Sequence, residues 1–380
     1  MFRYRLLRCL IFGAAFGFTA VLLAYFAWEH LISYEPETLY AQGDILDAYE
    51  NTAIDCMYDE HIYKLNYASR PEVVTITISA AGDTTLGGDR RWAGYHAFMR
   101  EYDENGAEWF LSNVAQIFYE SDLSIVNLEG ALTDITYPHM DKRFIFRGPM
   151  SFAQILVYGN IDVVSLANNH TIDFFERGMN DTRQALTDHG VAYFGNEHNT
   201  VMEINGIYVG LFGFSIWNDS VWNQNRITAA IRDLEARGAQ LIIAYFHWGI
   251  ERDNWPTQYQ VYIGRHTIRQ GAHLVLGAHP HVLQGIDTYE GWNIVYSLAD
   301  FSFGGNAGFE ESYDMHTMIF QQTFTFIDGV LQEINKTNII PAFMSSVRHR
   351  NDFRPTVAEG DDAEYILGRI RRYSDFENRP

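Results

Sequence analysis

Three histidines occupy the stretch HLVLGAHPH, residues 273–281, in a chain of 380 residues that contains 14 histidines. The last two, His279 and His281, stand one residue apart at the end of an apolar run that is typical of a buried strand. Side chains at i and i+2 point to the same side of an extended backbone, so this spacing predicts two imidazoles that face one point. Neutral imidazole is a frequent ligand of divalent metals, so the two histidines are candidates for metal binding.

Four other apolar runs end in the same way, with polar residues at their C-terminal ends. The runs are EVVTITISAAGDT (72–84), DLSIVNLEG (122–130), IDVVSLANNH (161–170) and QLIIAYFHWG (240–249), and the polar residues are Asp83, Glu129, Asn168, Asn169, His170 and His247. In α/β sheets, ligands bind outside the carboxyl ends of the strands. Each residue alone has an ordinary structural explanation, but their joint occurrence, with no cysteine nearby, predicts one or two divalent ions, Mn, Zn or Fe.

The segments between these runs have the apolar spacing of helices, at 107–120, 151–159, 174–190, 228–238 and 259–271. Alternating strands and helices predict a mostly parallel sheet covered by helices. Later segments, 292–303, 318–329 and 330–344, are typical of strands in hairpins, with Asp328-Gly329 as a tight turn. We expect these later strands to form a second, antiparallel sheet stacked on the first, and hence an α/β sandwich.

The chain opens with MFRYRLLR, which is followed by 20 uncharged residues, 9–28. As a helix this segment would span about 30 Å, the thickness of a hydrocarbon core. Three arginines precede it, so the positive-inside rule predicts that residues 1–8 are cytoplasmic and that the rest of the chain is extracytoplasmic. A cleaved signal peptide is the alternative, but the length of the run and the lack of a cleavage site after Trp28 favour an uncleaved single-pass anchor in the cell membrane.

Charge and cysteine content limit the possible functions. The chain has 27 Lys and Arg against 48 Asp and Glu, and beyond residues 1–28, which hold three arginines and no acid, the formal charge is −24. Such a surface opposes nucleic acid unless a cation intervenes. The two cysteines, Cys9 and Cys56, cannot form a disulfide framework.

We expect a stalk at 29–70, a domain at 71–345 and a tail with one short helix at 346–380.

Six motifs, in this order and spacing, resemble the CapA-type capsule synthesis proteins, which are linked to poly-γ-glutamate capsules. They are GDTTLGGD, VNLEG, SLANNHTIDF, FHWGIE, GAHPHVLQGID and YSLADFSFGG. The group looks like a branch of the calcineurin-like metallophosphoesterase superfamily, and the resemblance covers about residues 73–345. It implies a four-layer αββα sandwich of metallophosphoesterase type, here preceded by one N-terminal transmembrane helix.

The resemblance also implies a role for each matching residue. Asp83 would be the first ligand of one metal, and His281 would be a further ligand of the same metal. Glu129 would bridge the two metals. The second metal would be held by Asn169, His247 and His279. His170 would be the general acid or a stabiliser of the transition state, while Arg147, in FIFRGP, and Asn168 are weaker candidates for substrate binding.

The chain departs from the superfamily pattern at two positions and from the CapA-like pattern at a third. Thr85 stands where the superfamily usually has histidine, and Glu129 stands where it usually has aspartate, so one tight ion plus one weak ion is as plausible as a stable pair. CapA-like proteins usually read SLGNF where this chain has Ala299-Asp300. If Asp300 lines the site, it adds negative charge near the metals; otherwise it faces solvent.

Two classes of function follow from these patterns. The first is a membrane-anchored, metal-dependent hydrolase or transferase in the synthesis, assembly or release of an anionic capsule polymer. The second is a non-catalytic metal-binding partner of a membrane polymer-export complex. Both imply the bilayer, an anionic polymer and membrane synthase or export subunits as partners. A cell-surface phosphodiesterase or nucleotidase is a third possibility, which rests on family analogy alone.

Overall fold

The computed structural model describes residues 72–137, 142–305, 314–333 and 336–376. Among these residues no helix is long and apolar enough to cross a bilayer. The predicted cytoplasmic tail, anchor and stalk, residues 1–70, lie outside the described part of the chain, so they stay predictions.

The described elements alternate along the chain. The strands are β1 Val73–Thr85, β2 Leu123–Leu128, β3 Ala131–Leu132, β4 Arg147–Gly148, β5 Val163–Ser165, β6 Ala192–Phe194, β7 Thr200–Ile204, β8 Ile207–Ile216, β9 Leu241–Trp248, β10 Leu274–Ala278, β11 Ile286–Tyr289, β12 Trp292–Val295, β13 Asp300–Phe303, β14 His316–Ile327, β15 Val330–Leu331, β16 Lys336–Phe343 and β17 Thr356–Val357. The α-helices are α1 Ala93–Asn105, α2 Ala115–Tyr119, α3 Ala153–Tyr158, α4 Phe175–Asp188, α5 Val221–Ala236, α6 Gln258–Arg269 and α7 Gly360–Tyr373, and short 3₁₀ turns occupy Ala107–Trp109 and Met150–Phe152.

The strands form two large sheets. The first has the order β17-β16-β14-β1-β2-β5-β6, with β13 beside β1 and β15 beside β14. The second has the order β11-β12-β10-β9-β8-β7. Parallel pairs join β1, β2, β5 and the edge strand β6 on one side of the first sheet, and they join β8, β9, β10 and β12 in the middle of the second.

The mixed α/β class is confirmed, but the predicted division of the strands between sheets is wrong. The five apolar runs were expected in one sheet, whereas β1, β2 and β5 lie in the first sheet and β9 and β10 lie in the second. The hairpin strands β14 and β16 join the first sheet, where β14 pairs antiparallel with β1. A strand buried on both faces is apolar in either sheet, so its pattern carries no information about its partner.

The main core lies between the two sheets. It joins Ile78 and Ile125 of the first sheet to Ile243 and Leu276 of the second. Helices α1 to α4 cover the outer face of the first sheet, and α5 and α6 cover the outer face of the second. The layers therefore follow the order helices, sheet, sheet, helices.

The C-terminal helix α7 belongs to the same core. It packs on β16 of the first sheet and on β11 of the second, and Ile366 and Ile370 are buried in the cluster between the sheets. Acidic residues Asp361 and Asp362 lie in its first turn and Arg371 and Arg372 in its last, which complements the helix dipole.

Local turn chemistry explains several of the connections. Asp328 and Gly329 have φ values of 51° and 77° and join β14 to β15, which confirms the predicted tight turn. Thr257 and Gln260 form a reciprocal capping box at the start of α6. Strands β6, β7 and β8 and helix α1 lie where no element was predicted, although Asn205-Gly206 between β7 and β8 is a typical hairpin signal.

Candidate metal centre

Strand ends from both sheets meet at one edge of the sandwich, where their polar side chains lie close together. Pairs of atoms from this group are separated by 2.7 to 3.9 Å, and the rings of His247 and His279 have centroids 4.7 Å apart. The predicted residues that the structure brings together are Asp83, Glu129, Asn169, His170, His247, His279 and His281.

Asp83 lies near the end of β1 and is fully buried. Its Oδ1 accepts a hydrogen bond of 2.7 Å from Nδ2 of Asn127, and its Oδ2 accepts one of 2.9 Å from the backbone N–H of His279. Burial raises the pKa of the Asp83 carboxyl to about 6. Strand β1 continues through Gly82-Asp83 to Thr85, with a shift of register against β2.

Glu129 follows β2 and has no exposed surface. Neither of its carboxylate oxygens has a hydrogen-bond partner in the part of the chain that the structure describes. The nearest imidazole nitrogens are Nε2 of His247, at 3.5 Å, and Nε2 of His170, at 3.9 Å. Burial raises the pKa of the Glu129 carboxyl well above its usual range, with the Asp83 carboxylate adding to the effect. A buried carboxylate in this state is costly unless a cation or a proton compensates its charge.

His247, in β9, connects the two sheets at this edge. Its Nε2 lies 2.7 Å from Oδ1 of Asn169, and its Nδ1 lies 3.3 Å from Nδ2 of Asn127. Burial lowers the pKa of His247 well below its usual range, with His279 adding to the effect. His247 is therefore neutral, which is the form of imidazole that binds metals.

The backbone at His279 and His281 differs from the prediction. Strand β10 ends at Ala278, and both histidines have positive φ values, 95° and 57°, so they are not in extended backbone as their spacing suggested. Two left-handed residues bring the rings to a centroid separation of 5.8 Å. Conformations of this kind cost about 1–3 kcal/mol each and persist where surrounding contacts hold them. Here the His279 N–H is held by Asp83, and the carbonyl of Pro280 accepts a hydrogen bond of 2.7 Å from the Arg252 N–H.

The two histidines have different electrostatic surroundings. Burial lowers the pKa of His279 to about 3, and its Nδ1 has no partner among the described residues. Burial also opposes the charge on His281, but the carboxylates of Asp300 and Glu129 outweigh burial and hold its pKa well above the usual range. Nδ1 of His281 lies 2.8 Å from Oδ1 of Asp300 and 3.5 Å from Oδ2 of Asp83. Without a metal, these carboxylates therefore favour the protonated form of the His281 imidazole.

His170 is oriented by a carboxylate that the sequence analysis did not identify. Its Nδ1 lies 2.6 Å from Oδ2 of Asp173, and its ring packs on Phe146 with a centroid distance of 4.2 Å. Asp173 in turn accepts hydrogen bonds from Nζ of Lys142, at 2.6 Å, and from the Phe146 N–H, at 2.7 Å. These contacts direct Nε2 of His170 toward Glu129. The three-residue separation of His170 and Asp173 in SLANNHTIDF was the available signal.

Asn168 and Arg147, the weaker candidates, make contacts within the protein. The Asn168 amide donates to the Leu128 carbonyl at 2.8 Å and accepts from the His170 N–H at 3.1 Å, so it holds the loop that carries His170. The Arg147 guanidinium donates to the Ile135 carbonyl and lies 5.8 Å from the ring of Phe174.

Two further residues of the site were not singled out from the sequence. Asn127 is fully buried in β2 and lies between Asp83 and His247, so it links the two sheets at the site. Trp217 follows β8 and packs edge-on against His279, with centroids 4.8 Å apart, while 46% of its surface is exposed. Asn127 stands two residues before Glu129 at the end of an apolar run, and this alternate spacing was the available signal. Trp217 had no such signal.

The donor set fits divalent metal ions. Two groups of three side chains have ligand atoms within 4.8 Å of one another, Glu129 with His279 and His281, and Asp83 with His281 and Asp300. The unpartnered carboxylate of Glu129 and Nδ1 of His279 are buried donors that a cation would satisfy. Imidazole and carboxylate together suit zinc, manganese or iron.

The fold and the site together define an α/β sandwich with a cluster of imidazoles and carboxylates at its strand ends. Residues 77–305, more than half of the chain, match the family described as Bacterial capsule synthesis protein PGA_cap. The chain therefore belongs to this family of bacterial capsule synthesis proteins, and the resemblance seen in its motifs is confirmed.

Characterised relatives are similar over part of their length. The chain is 28% identical over 221 residues to the PGA biosynthesis protein CapA of Bacillus subtilis (strain 168), which covers 53% of this chain and 58% of that protein. It is 26% identical over 226 residues to the Capsule biosynthesis protein CapA of Bacillus anthracis, covering 52% and 54%. The match thus spans little more than half the length of these relatives. A solved structure, that of a hypothetical protein from Thermus thermophilus, has a TM-score of 0.42 at 14% identity, covering 70% of this chain and 99% of that chain.

Proposed function

We propose that this chain is a membrane-anchored, extracytoplasmic protein with a divalent-metal centre that catalyses hydrolysis or group transfer on an anionic capsule polymer of the poly-γ-glutamate type. The reaction would serve synthesis, assembly or release of the polymer. The observation that carries the proposal is the Glu129 carboxylate, which is fully buried, lacks a hydrogen-bond partner among the described residues and lies 3.5 Å from Nε2 of His247. A cation is the partner that best accounts for this arrangement.

The layer order of helices, sheet, sheet, helices supports a four-layer αββα sandwich of metallophosphoesterase type. In that scheme one ion would be held by Asp83, Glu129 and His281. The second ion would be held by Glu129, Asn169, His247 and His279. Divalent ions at such a centre supply Lewis acidity and neutralise charge that develops on the transferred group.

His170 would act as the general acid for the leaving oxygen. Asp173 accepts the Nδ1 proton of His170 at 2.6 Å, which leaves Nε2 to face the centre and carry the transferable proton. Lys142 and the Phe146 N–H hold Asp173, so the orientation of the imidazole is fixed before substrate arrives. Phe146 and Trp217 flank the imidazoles and would limit access of bulk water.

The negative charge of the chain is compatible with binding of an anionic substrate only when cations are bound. Beyond residue 28 the formal charge is −24, which repels a polycarboxylate. Bound divalent ions would supply local positive charge at the strand-end edge. The apolar segment 9–28 would place the domain at the outer face of the membrane, beside the synthase or export subunits of the polymer.

The test is complementation by a His170→Ala variant in cells that lack the wild-type gene. We expect capsule polymer to be lost while the purified 380-residue chain retains the metal content of the wild type. His349→Ala, which replaces an exposed histidine, serves as the matched control and should produce polymer normally. Polymer production by the His170→Ala variant at the wild-type level would reject catalysis and favour the non-catalytic metal-binding partner.

A further inference from the structure

Asp300 occupies a special position beside the proposed metal centre. It begins β13, which pairs in parallel with β1, and it lies directly opposite Asp83 in that pairing. The preceding residue, Ala299, has a φ of 65°, and its carbonyl accepts a hydrogen bond of 2.9 Å from the Asp83 N–H. Ala299 is not a glycine, so its left-handed conformation must be held by the surrounding contacts. This conformation sets the direction in which the backbone enters Asp300.

The side chain of Asp300 points into the centre. It is 1% exposed, and its Oδ1 lies 2.8 Å from Nδ1 of His281. Ligand atoms of Asp83, His281 and Asp300 all lie within 4.8 Å of one another, which is the spacing of donors around one ion.

Unsatisfied polar atoms adjoin this group. Glu129, which forms a second ligand group through the same His281, has two buried oxygens without a partner among the described residues. The hydroxyl of Thr85, two residues after Asp83, is likewise buried without a partner in the described part of the chain. Buried polar atoms are almost always satisfied, so this concentration of unsatisfied donors and acceptors indicates a cation.

We propose that Asp300 is a direct ligand of the ion held by Asp83 and His281, and that this subsite binds Mn²⁺. The proposal rests on the proposed metal centre. Carboxylate oxygen suits manganese, whereas imidazole suits zinc and iron. The subsite with Asp83 and Asp300 is rich in carboxylate, while the neighbouring subsite, with His247 and His279, is rich in imidazole. The two subsites therefore differ in the balance of oxygen and nitrogen ligands that they offer.

The test is a Mn²⁺ titration of the chelator-treated 380-residue chain, with free Mn²⁺ measured by electron paramagnetic resonance. Asp300→Asn removes the charge but keeps an oxygen that accepts from Nδ1 of His281, and Asp300→Ala removes both. Asp173→Asn is the electrostatic control, because Asp173 also acts on Glu129 through its charge but contacts His170 rather than His281. Circular dichroism of each chelated variant checks folding, and Asp300→Ser, which retains an oxygen, replaces the Asn variant if that variant does not fold.

We expect both Asp300 variants to bind one Mn²⁺ with an affinity about 10- to 100-fold lower than that of the wild type. The Mn²⁺ affinity of Asp173→Asn should stay within about threefold of the wild type. Unchanged Mn²⁺ affinity in Asp300→Asn, with loss only in Asp300→Ala, would overturn the proposal, since Asp300 would then only orient His281. An equal loss in Asp173→Asn would also overturn it, because charge alone would explain the effect. Wild-type protein that binds no Mn²⁺ while it binds Zn²⁺ overturns this inference alone, and wild-type protein that binds neither ion overturns the metal centre as well.

Discussion

Oε1 of Glu129 lies 3.5 Å from Nε2 of His247, although the two residues belong to different sheets. Glu129 follows β2 of the first sheet, and His247 lies in β9 of the second. Both side chains are fully buried. The contact exists only when the two sheets are packed together, so the candidate centre depends on the whole sandwich and not on one local motif.

Substitution Glu129→Gln tests whether Glu129 is a metal ligand or has only a structural role. Burial raises the pKa of Glu129, so folding without metal favours the uncharged side chain over the charged one, and glutamine resembles the uncharged form. We expect the chelated variant to be as stable as the chelated wild type, or more stable by about 1–2 kcal/mol. The variant should lose the thermal stabilisation that added Mn²⁺ or Zn²⁺ gives the wild type. Differential scanning calorimetry with and without metal measures both effects, and a variant that keeps the metal-induced shift would contradict the assignment.

Substitution Asp173→Asn tests the orientation of His170. The variant loses the carboxylate that accepts the Nδ1 proton at 2.6 Å, so the imidazole is less well oriented and its protonated form loses a charged partner. We expect polymer formation to slow by about 10- to 100-fold, less than in His170→Ala, with metal content unchanged. Rates are compared in a membrane preparation from cells that express each variant. A rate equal to that of the wild type would show that Asp173 has only a structural role.

His273 gives the stability of the fold a defined pH dependence. Burial lowers the pKa of His273 to about 4 in the folded state, where its Nδ1 accepts a hydrogen bond of 3.0 Å from the Ile242 N–H. Above pH 6.5 both folded and unfolded states hold neutral imidazole. Between pH 6.5 and 4 only the unfolded state gains the proton, so the free energy of unfolding falls by about 2–3 kcal/mol as the pH decreases through this window.

The matched variant is His273→Asn, which keeps an acceptor near the Ile242 N–H but does not titrate. Urea unfolding of the chelated proteins at several pH values from 7.5 to 4.5 measures the difference between the two chains. As the pH falls, the free energy of unfolding should decrease more in the wild type than in the variant. A constant gap across this range would reject the role of His273.

Gly82 is expected to tolerate no side chain. A Cβ at this position would lie 1.8 Å from the carbonyl oxygen of Ala299, which belongs to the backbone and cannot rotate away. We expect Gly82→Ala to lose several kcal/mol of stability or to fail to fold, since β13 would be forced away from β1. Gly368→Ala is the control, because its Cβ meets nothing within 4 Å and it lies inside α7, where alanine should add about 0.5–1 kcal/mol. Thermal unfolding of both variants measures the contrast, and a Gly82→Ala protein of normal stability would refute the packing argument.

Elements with a strong local pattern could be predicted from the sequence. The β-branched run of β1 and the apolar runs of β2, β9 and β10 form strands at the expected positions. Asp328-Gly329 forms the expected turn, because aspartate and glycine accept positive φ at low cost. Parallel strands present their carboxyl ends at one edge of each sheet, and the packing of the two sheets brings the two sets of polar residues together.

Features that depend on long-range packing could not be predicted. The assignment of β9 and β10 to a second sheet depends on which buried strands pair, which an apolar pattern does not encode. The left-handed backbone of His279 and His281 depends on the Asp83 contact and on the hydrogen bond between Arg252 and Pro280. Asp173 was missed because a carboxylate three residues after a histidine is common in loops without any functional role.

The central claim is that the strand-end cluster binds a divalent metal, and metal content tests it most directly. Inductively coupled plasma mass spectrometry of the purified 380-residue chain should find near-stoichiometric manganese, zinc or iron. A His279→Ala/His281→Ala double variant should lose that metal while it retains its fold by circular dichroism. Absence of metal from the wild type, even after incubation with all three ions, or equal metal content in the double variant, would contradict the account.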